Sequence, residues 1–315
     1  MISFTGLVKE EVSKIDTIGP NGISELSAII RNAATIDKKI KITTENASVA
    51  RHIFNLIKKL YEVNPKIIVR QSSNYRNRHL YILEIENKKE LILNDLSIYD
   101  NKKYLKIPKN YIVDDEELAR SYLRGLFITT GSVNDPKKSR YHLEFLVDDY
   151  NYAKWISDLL NKDYLNSKVI KRDNKYMVYI KEAEKIGDFL RIIGAFNAIM
   201  YYEDIRIYRD HKNMTNRLNN CEQANVDKII ETAMKQVKDI ELIKKHGSLE
   251  LLNEKEQIVA LYRLKYKEAS LLELSEIISS ETNKPITKSG LYHRFKKISA
   301  LANQIKKIEN KDLNN

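Results

Sequence analysis

ELSAIIRNAATI (residues 25–36) and ARSYLRGLFITTGSV (residues 119–133) decide the fold, because each begins the same series of sequence patterns. Each segment is helix-like, and an alternating strand, an amphipathic helix, two strands and another helix follow it. The series recurs after about 100 residues, which indicates an internal duplication. The first series continues with KIKITTEN (39–46), ASVARHIFNLIKKLYEV (47–63), KIIVR (66–70), HLYILEIE (79–86) and KKELILNDLSI (88–98), and the second with YHLEFLVDD, YNYAKWISDLLNKDYL, SKVIKR, KYMVYIKE and AEKIGDFLRIIGA (183–195).

The leading helix of each half is apolar and contains small residues. Small residues allow helix backbones to approach closely, so we predict that the two helices pair at the centre of the domain; two unrelated core helices are the alternative. The alternating strands bury one face under helices, which predicts an α+β domain with halves at residues 1–100 and 101–200. The small residues are Ala28, Ala33, Ala34, Gly125, Thr129, Thr130 and Gly131.

Beyond residue 200 the strand signal fades. Residues 209–225 are polar and rich in Asn, which predicts a linker over residues 201–227 or an exposed entry into a helix, although Arg209, Lys212 and Arg217 could instead contact a DNA backbone. Residues 228–315 are predicted to form an all-α domain of the helix-turn-helix type. Its helical patterns cover residues 222–246, 253–266, 270–278 and 288–307.

The charge of the chain favours an anionic partner. With 54 Lys and Arg against 43 Asp and Glu, the net charge is +11, which suits nucleic acid or a lipid surface. Residues 284–307 contain cations and no acidic residue, so they are the focus of this charge. The cations are Lys284, Lys288, Arg294, Lys296, Lys297, Lys306 and Lys307.

The cysteine content and the N-terminal residues indicate the cellular compartment of the protein. Because Cys221 is the only cysteine in the sequence, the chain cannot form an intrachain disulfide or a zinc site made of several thiolates. Lys9, Glu10 and Glu11 stand where a signal peptide would need an apolar core, and no apolar run is as long as a membrane span. We therefore expect a cytoplasmic protein with no membrane partner.

The last predicted helix has one apolar side and one polar side. The apolar positions recur at alternating spacings of four and three residues, so they form a single stripe, with Thr287 as the predicted N-cap. The polar side suits the major groove, where small and polar residues approach base edges and cations reach phosphates. The stripe is Leu291, Phe295, Ile298, Ala302 and Ile305; the predicted DNA-binding residues are Lys288, Ser289, Tyr292, His293, Arg294, Lys296 and Lys297.

A second short helix supports this interpretation. SLLELSEII (270–278) begins with Ser270 and has Glu273 three residues later, which is a capping box. Nine residues separate it from the basic helix. A solvated Lys-rich helix is the alternative to DNA binding. His293 has no suitably spaced partner for catalysis or metal binding, so no cofactor is expected.

Several segments, in order, resemble the WhiA family of Gram-positive bacteria: SFTGLVKEEVS, YLRGLFITTGSVNDPKKSRYHLEF, NRLNNCEQAN, SLLELSEII and TKSGLYHRFKKI. The resemblance covers nearly the whole chain. It implies a domain derived from LAGLIDADG homing endonucleases, followed by a helix-turn-helix that resembles the promoter-reading domain of sigma factors. It also implies roles in cell division and chromosome segregation, and in sporulation where the organism sporulates.

The ancestral nuclease has a metal-binding carboxylate at the end of each motif helix, where the ions activate water. The resemblance places Ala33 and Thr130 at these positions, so the metal site is expected to be degenerate. Asp37 and Asp135 lie nearby but are displaced along the chain. In this family pattern Lys296 stands where arginine is frequent, which keeps the charge and loses the bidentate geometry.

These expectations favour a non-enzymatic, nucleoid-associated regulator that binds promoter DNA as a duplex. RNA polymerase or a co-regulator protein is a further candidate partner. A metal-dependent nuclease with relocated acids and an RNA-binding, maturase-like protein are the alternatives.

Overall fold

A computed structural model describes residues 3–71, 79–138 and 140–312 of the chain. The chain divides into two units, Met1–Asp210 and His211–Asn315. Each unit contains its own cluster of buried apolar side chains. The first unit combines helices and sheets, and the regular elements described in the second are helices.

The first unit contains the same series of elements twice. In chain order the first half consists of α1 (Phe4–Val12), α2 (Gly19–Ala33), β1 (Ala34–Ile36), β2 (Ile40–Thr44), α3 (Ala47–Tyr61), β3 (Lys66–Gln71), β4 (His79–Ile85), α4 (Lys89–Asp95), β5 (Tyr99–Asp100) and β6 (Lys103–Tyr104). After a 3₁₀ turn at Asn110–Ile112, the second half consists of α5 (Glu116–Thr130), β7 (Gly131–Val133), β8 (Leu143–Val147), α6 (Tyr150–Lys162), β9 (Lys168–Arg172), β10 (Lys175–Ile180) and α7 (Ala183–Ile192).

Each half has an antiparallel four-stranded sheet with the same strand order. The orders are β1-β2-β4-β3 and β7-β8-β10-β9, and β5 and β6 form a separate hairpin. Ile42 lies opposite Leu83 in the first sheet and Phe145 lies opposite Val178 in the second. All four side chains are buried, because alternate residues of each strand face the helices. The duplicated α+β architecture predicted from the sequence is therefore confirmed.

The two leading helices end earlier than the sequence predicts. The pattern extends them to residues 36 and 133, whereas α2 ends at Ala33 and α5 ends at Thr130. The next three residues of each half form β1 and β7, which pair with β2 and β8. Three residues are too few to show the alternation of a strand, so helical periodicity alone overextends both helices.

Helices α2 and α5 pack against each other, which confirms the predicted pairing. The two helices approach closely at Gly125 of α5. A Cβ atom on Gly125 would lie 2.3 Å from the carbonyl oxygen of Glu25 and 3.1 Å from Cβ of Ala28. The first distance is shorter than van der Waals contact, so this crossing requires glycine.

A buried polar cluster lies beside this crossing. Glu25 is fully buried, and its Oε1 is 2.8 Å from Nε2 of His52 on α3. Its Oε2 accepts a hydrogen bond from Oγ1 of Thr17 at 2.7 Å and lies 3.3 Å from Nε of Arg124 on α5. The carboxylate therefore links α2, α3 and α5, and both of its oxygens have partners.

Lys9 of α1 is a half-buried cation that forms no ion pair with the residues that the structure describes. Its Nζ lies 5.8 Å from the centroid of the Phe127 ring, and burial lowers the pKa of Lys9 from 10.5 to about 8. The unfolded chain therefore binds this proton more tightly than the folded chain, and protonation destabilises the fold. The cost is fully present below pH 8 and disappears as the pH rises through 8 towards 10.5.

We expect Lys9→Met to stabilise the first unit at pH 7 by about 1–3 kcal/mol. The advantage over the native chain should shrink between pH 8 and pH 10. Urea unfolding followed by the fluorescence of Trp155, the only tryptophan, measures the first unit within the full chain. Lys14→Met is the control, since the Lys14 side chain is 66% exposed. An advantage that is constant from pH 7 to pH 10 would contradict the prediction.

The second unit is built from long helices. Its elements are α8 (Phe196–Lys245), which spans the boundary between the units, a 3₁₀ turn at Ser248–Leu251, α9 (Glu254–Lys265), α10 (Leu271–Thr282) and α11 (Lys288–Asp312). Within the described ranges, no helix has the length and apolarity needed to cross a membrane.

The segment predicted as a linker, residues 201–227, is helical because it lies inside α8. Residues 196–246 contain neither Gly nor Pro, so no residue type there breaks a helix. The side chains from 210 to 232 are exposed. Polarity in this segment therefore reflects exposure to solvent rather than an irregular backbone.

Candidate nucleic-acid interface

The predicted stripe of α11 is buried and holds this helix in the second unit. The stripe packs in one cluster with Ile240 of α8, Val259 of α9 and Leu274 of α10. The start of the helix is capped as predicted, because Oγ1 of Thr287 accepts a hydrogen bond from the amide of Gly290 at 3.1 Å. The buried stripe residues are Leu291, Phe295, Ile298, Ala302 and Ile305.

The turn between α10 and α11 is shorter than the sequence predicts. The capping box of Ser270 and Glu273 is confirmed, but α10 continues to Thr282 instead of ending at residue 278. Asn283 ends the helix in the left-handed conformation, with φ of 54°. The connection is thus residues 283–287 rather than nine residues, and Oγ of Ser279 accepts a hydrogen bond from the amide of Ile286 at 3.0 Å. The apolar run stops before the helix does, which explains the difference.

The side of α11 opposite the stripe is exposed. Ser289, His293 and Lys296 lie on this side in successive turns, and their side chains reach solvent. We call these three residues the reading row. Tyr292 flanks it with 58% exposure, and its ring lies 5.8 Å from the ring of His293. The row therefore offers hydroxyl, imidazole and ammonium groups on one accessible face.

The other predicted DNA-binding residues have different surroundings. Lys288 is exposed at the first position of α11, whereas Arg294 is half-buried at the edge of the stripe. The Lys297 side chain is 69% exposed, but its Nζ lies 3.3 Å from Oε1 of Glu256 on α9. The structure therefore brings Lys288 beside the reading row, and it ties Lys297 to the neighbouring helix.

Two acidic residues that the sequence interpretation missed anchor α11. Glu256 is buried and completes the capping box of α9 with Asn253, in addition to its contact with Lys297. Asp239 of α8 is buried and accepts hydrogen bonds from Oγ of Ser299 and Nζ of Lys306, both at 2.8 Å. These partners are far apart in the sequence, so no local pattern indicates them. The capping spacing from Asn253 to Glu256 is the only available signal.

One of the three α8 cations suggested as DNA contacts, Arg209, has partners within the protein. Nη1 of Arg209 donates hydrogen bonds to the carbonyl oxygens of Pro136 and Lys138, each at 2.7 Å. Its guanidinium also lies 4.6 Å from the centroid of the Tyr141 ring. Arg209 therefore binds within the first unit, while Lys212 remains exposed.

The two positions that the family resemblance assigns to a former metal site lie at the ends of the paired helices. Ala33 and Thr130 are the last residues of α2 and α5. The Thr130 hydroxyl donates a hydrogen bond to the carbonyl oxygen of Leu126 at 3.1 Å. Nearby, Oδ1 of Asp135 accepts a hydrogen bond from the amide of Lys137 in a local turn. Within the described ranges, no group of three His, Cys, Asp or Glu side chains could hold a metal ion.

Family models match both units. The model described as the WhiA N-terminal LAGLIDADG-like domain matches residues 21–99, and the WhiA LAGLIDADG-like domain matches residues 119–212. The model described as the WhiA C-terminal HTH domain matches residues 215–302. The chain is therefore a duplicated LAGLIDADG-like domain followed by a helix-turn-helix domain.

Relatives of similar length extend this result. A probable cell division protein WhiA from Lactobacillus gasseri is 42% identical over 314 residues, which cover 97% of this chain and 99% of the relative. The protein of the same name from Staphylococcus aureus is 39% identical over 317 residues, or 99% and 100% of the two chains. The crystal structure of full-length WhiA from Thermatoga maritima covers 96% of this chain and 98% of its own, with a TM-score of 0.54 and 27% identity. The chain belongs to the WhiA family.

Proposed function

We propose that this chain is a sequence-specific regulator that reads duplex DNA with α11 and acts in cell division. The observation that carries the proposal is the reading row, which is exposed directly opposite the buried stripe of a helix-turn-helix. The names of the relatives support the link to cell division. Chromosome segregation, sporulation where it occurs, promoter control and recruitment of RNA polymerase or a co-regulator are finer parts of the same proposal.

The chemistry of the reading row suits the major groove. Ser289 and His293 lie in the first two turns of α11, where a recognition helix approaches base edges, and both offer hydrogen-bonding groups. Lys288 and Lys296 carry charges on longer side chains that reach phosphates. The base contacts would supply specificity, and the lysines would supply affinity that depends on salt.

We further propose that the protein does not cleave DNA. Metal-assisted cleavage needs carboxylates at the ends of the paired helices, where Ala33 and Thr130 stand. The test is incubation of the full chain with bound duplex and Mg²⁺, followed by gel analysis of both strands. Site-specific cuts would overturn this part of the proposal in favour of a nuclease.

The DNA-binding proposal is tested by selecting sites from a random duplex library with the full chain. Fluorescence anisotropy then compares a selected duplex with a scrambled duplex and with RNA of the same sequence. We expect the selected DNA to bind most tightly, with an affinity that falls steeply with salt. His293→Ala combined with Arg294→Ala should weaken binding about tenfold or more, whereas the exposed control Lys255→Ala should not. Equal binding of all three probes would contradict the proposal.

Adjacent lysines provide a sharper prediction. Lys296→Ala should weaken DNA binding and reduce the slope of log K against log salt by about 1, because one phosphate contact is lost. Lys297→Ala should change this slope less, because the Lys297 ammonium already has Glu256 as a partner. It should instead lower the stability of the second unit by about 0.5–1 kcal/mol. Anisotropy titrations at several salt concentrations and urea unfolding followed by circular dichroism measure the two effects. Identical salt slopes for the two variants would refute the assignment.

A further inference from the structure

The second unit contains a cavity of about 400 Å³ that the DNA-binding proposal does not use. Its apolar wall includes Ile229 and Ala233 of α8, together with Leu271 and Leu272 at the start of α10. Ile229 is 41% exposed and Leu272 is 55% exposed, so apolar side chains remain accessible at this site. The volume lies within the range of small-molecule sites.

Arg263 of α9 also lines the cavity. Its side chain is buried, with 1% exposure, and its guanidinium lies 5.4 Å from the centroid of the Phe295 ring. Nη1 donates hydrogen bonds to the carbonyl oxygens of Tyr266 at 3.1 Å and Ala269 at 2.6 Å. Among the residues that the structure describes, Nε has no hydrogen-bond partner. Nη1 is thus used to hold the local backbone, and the buried Nε donor is left without a partner among the described residues.

Among the described residues, no Asp or Glu forms an ion pair with Arg263. Burial lowers the pKa of its guanidinium from the usual value, although arginine remains protonated. None of the described residues that line the cavity is Asp or Glu. A buried cation without a counterion is costly, so an anion that enters the cavity gains an attraction that water screens only weakly.

Two further cations and the N-terminus of a helix add to the positive electrostatic potential in the cavity. Lys228 of α8 and Lys288 of α11 line the same cavity and are exposed. The capping box of α10 uses the amides of Ser270 and Glu273. The remaining first-turn amides of α10 have no acceptor within the helix and carry the positive end of its dipole. All charged side chains among the described lining residues are therefore cations.

We propose that this cavity binds a small amphipathic carboxylate. The apolar body of the ligand would lie against Ile229 and Leu272, and the carboxylate would lie among Arg263, Lys228 and Lys288. A planar carboxylate matches the geometry of a guanidinium, whereas the apolar wall would not favour a sugar-phosphate backbone. Binding of this ligand does not require that the protein bind DNA.

The experiment uses the full chain, without DNA, and three probes that differ only in the head group. Isothermal titration calorimetry compares 4-phenylbutyrate with 4-phenylbutan-1-ol and 4-phenylbutylamine. We expect the carboxylate to bind with a Kd of about 1 mM or tighter. The alcohol should bind at least about tenfold more weakly, and the amine should show no binding.

Variants locate the binding to this cavity. Lys228→Met and Lys288→Met should each weaken 4-phenylbutyrate about 3- to 10-fold, and both residues are exposed, so the fold should survive. Thr232→Trp, which fills the cavity from an exposed position, should abolish binding. Lys235→Met, an exposed lysine of α8 that does not line the cavity, is the matched control and should leave the affinity unchanged.

Several results would overturn the proposal. They are equal affinity for the three probes, no binding of the carboxylate at 10 mM, and unchanged affinity in both Lys228→Met and Lys288→Met. Saturation by an acidic amphipathic peptide but not by 4-phenylbutyrate would assign the cavity to a protein partner instead. Because no DNA is present, none of these results bears on the proposed DNA binding, which the anisotropy titrations test separately.

Discussion

Replacing Gly125 with alanine is expected to lower the free energy of unfolding of the first unit by about 3 kcal/mol. Alanine is the better helix former by about 1 kcal/mol, so helix propensity alone predicts the opposite sign. The added methyl group would lie 2.3 Å from the carbonyl oxygen of Glu25. A backbone atom cannot rotate away as a side chain can, so α2 and α5 would have to separate and lose packing along the pair.

Urea unfolding of the full chain, followed by Trp155 fluorescence, measures this effect. The Trp155 ring lies 5.2 Å from the ring of Tyr122 on α5, so its emission reports on the first unit. Gly22→Ala in α2 is the matched control, because its added Cβ would lie 3.3 Å from the flexible side chain of Leu60 and 3.4 Å from the nearest backbone atom, the carbonyl oxygen of Thr17. Its effect should stay within about 1 kcal/mol. Equal stability of the two variants would contradict the prediction that α2 and α5 pack too closely at position 125 to admit a Cβ atom.

Replacing Glu25 with alanine is expected to cost about 3–5 kcal/mol. The substitution removes the acceptor for Thr17 and the partner of His52, and it leaves the buried guanidinium of Arg124 without its nearby carboxylate. Removing one member of a buried charged cluster is costly because the remaining groups stay desolvated. The loss should therefore exceed the transfer energy of the side chain alone.

The same fluorescence assay measures this prediction. Glu25→Gln keeps the shape and one acceptor but removes the charge, so it should fall between the native chain and Glu25→Ala. Glu10→Ala is the surface control, because Glu10 forms an i,i+4 pair with the exposed Lys14. Its effect should be within about 0.5 kcal/mol. Equal losses for the alanine variants at positions 25 and 10 would show that the buried cluster contributes little.

Features that depend on local periodicity could be predicted from the sequence. The stripe of α11, the N-cap at Thr287 and the capping box of Ser270 and Glu273 all involve residues within a few turns of one another. The repeated series of patterns also predicted the duplicated architecture, since the longer strands and helices of each half show their own periods. The paired helices followed from their small residues.

Features that depend on tertiary contacts could not be predicted. The strands β1 and β7 are too short to show a pattern, and they form only because β2 and β8 lie beside them. Lys296 and Lys297 look equivalent in the sequence, yet of the two it is Lys297 that pairs with a buried acid among the described residues. Arginine is usually exposed, so no sequence signal marked Arg263 as buried.

The two acidic anchors of α11 also affect how a salt titration is interpreted. Lys297 and Lys306 each neutralise a buried carboxylate, and both lysine side chains reach solvent, so mobile ions compete for these pairs as well as for DNA phosphates. The slope of affinity against ionic strength would then combine counterion release with weaker attachment of the helix. Counting phosphates from that slope alone would overestimate them, and the slope of the Lys297→Ala variant supplies the correction.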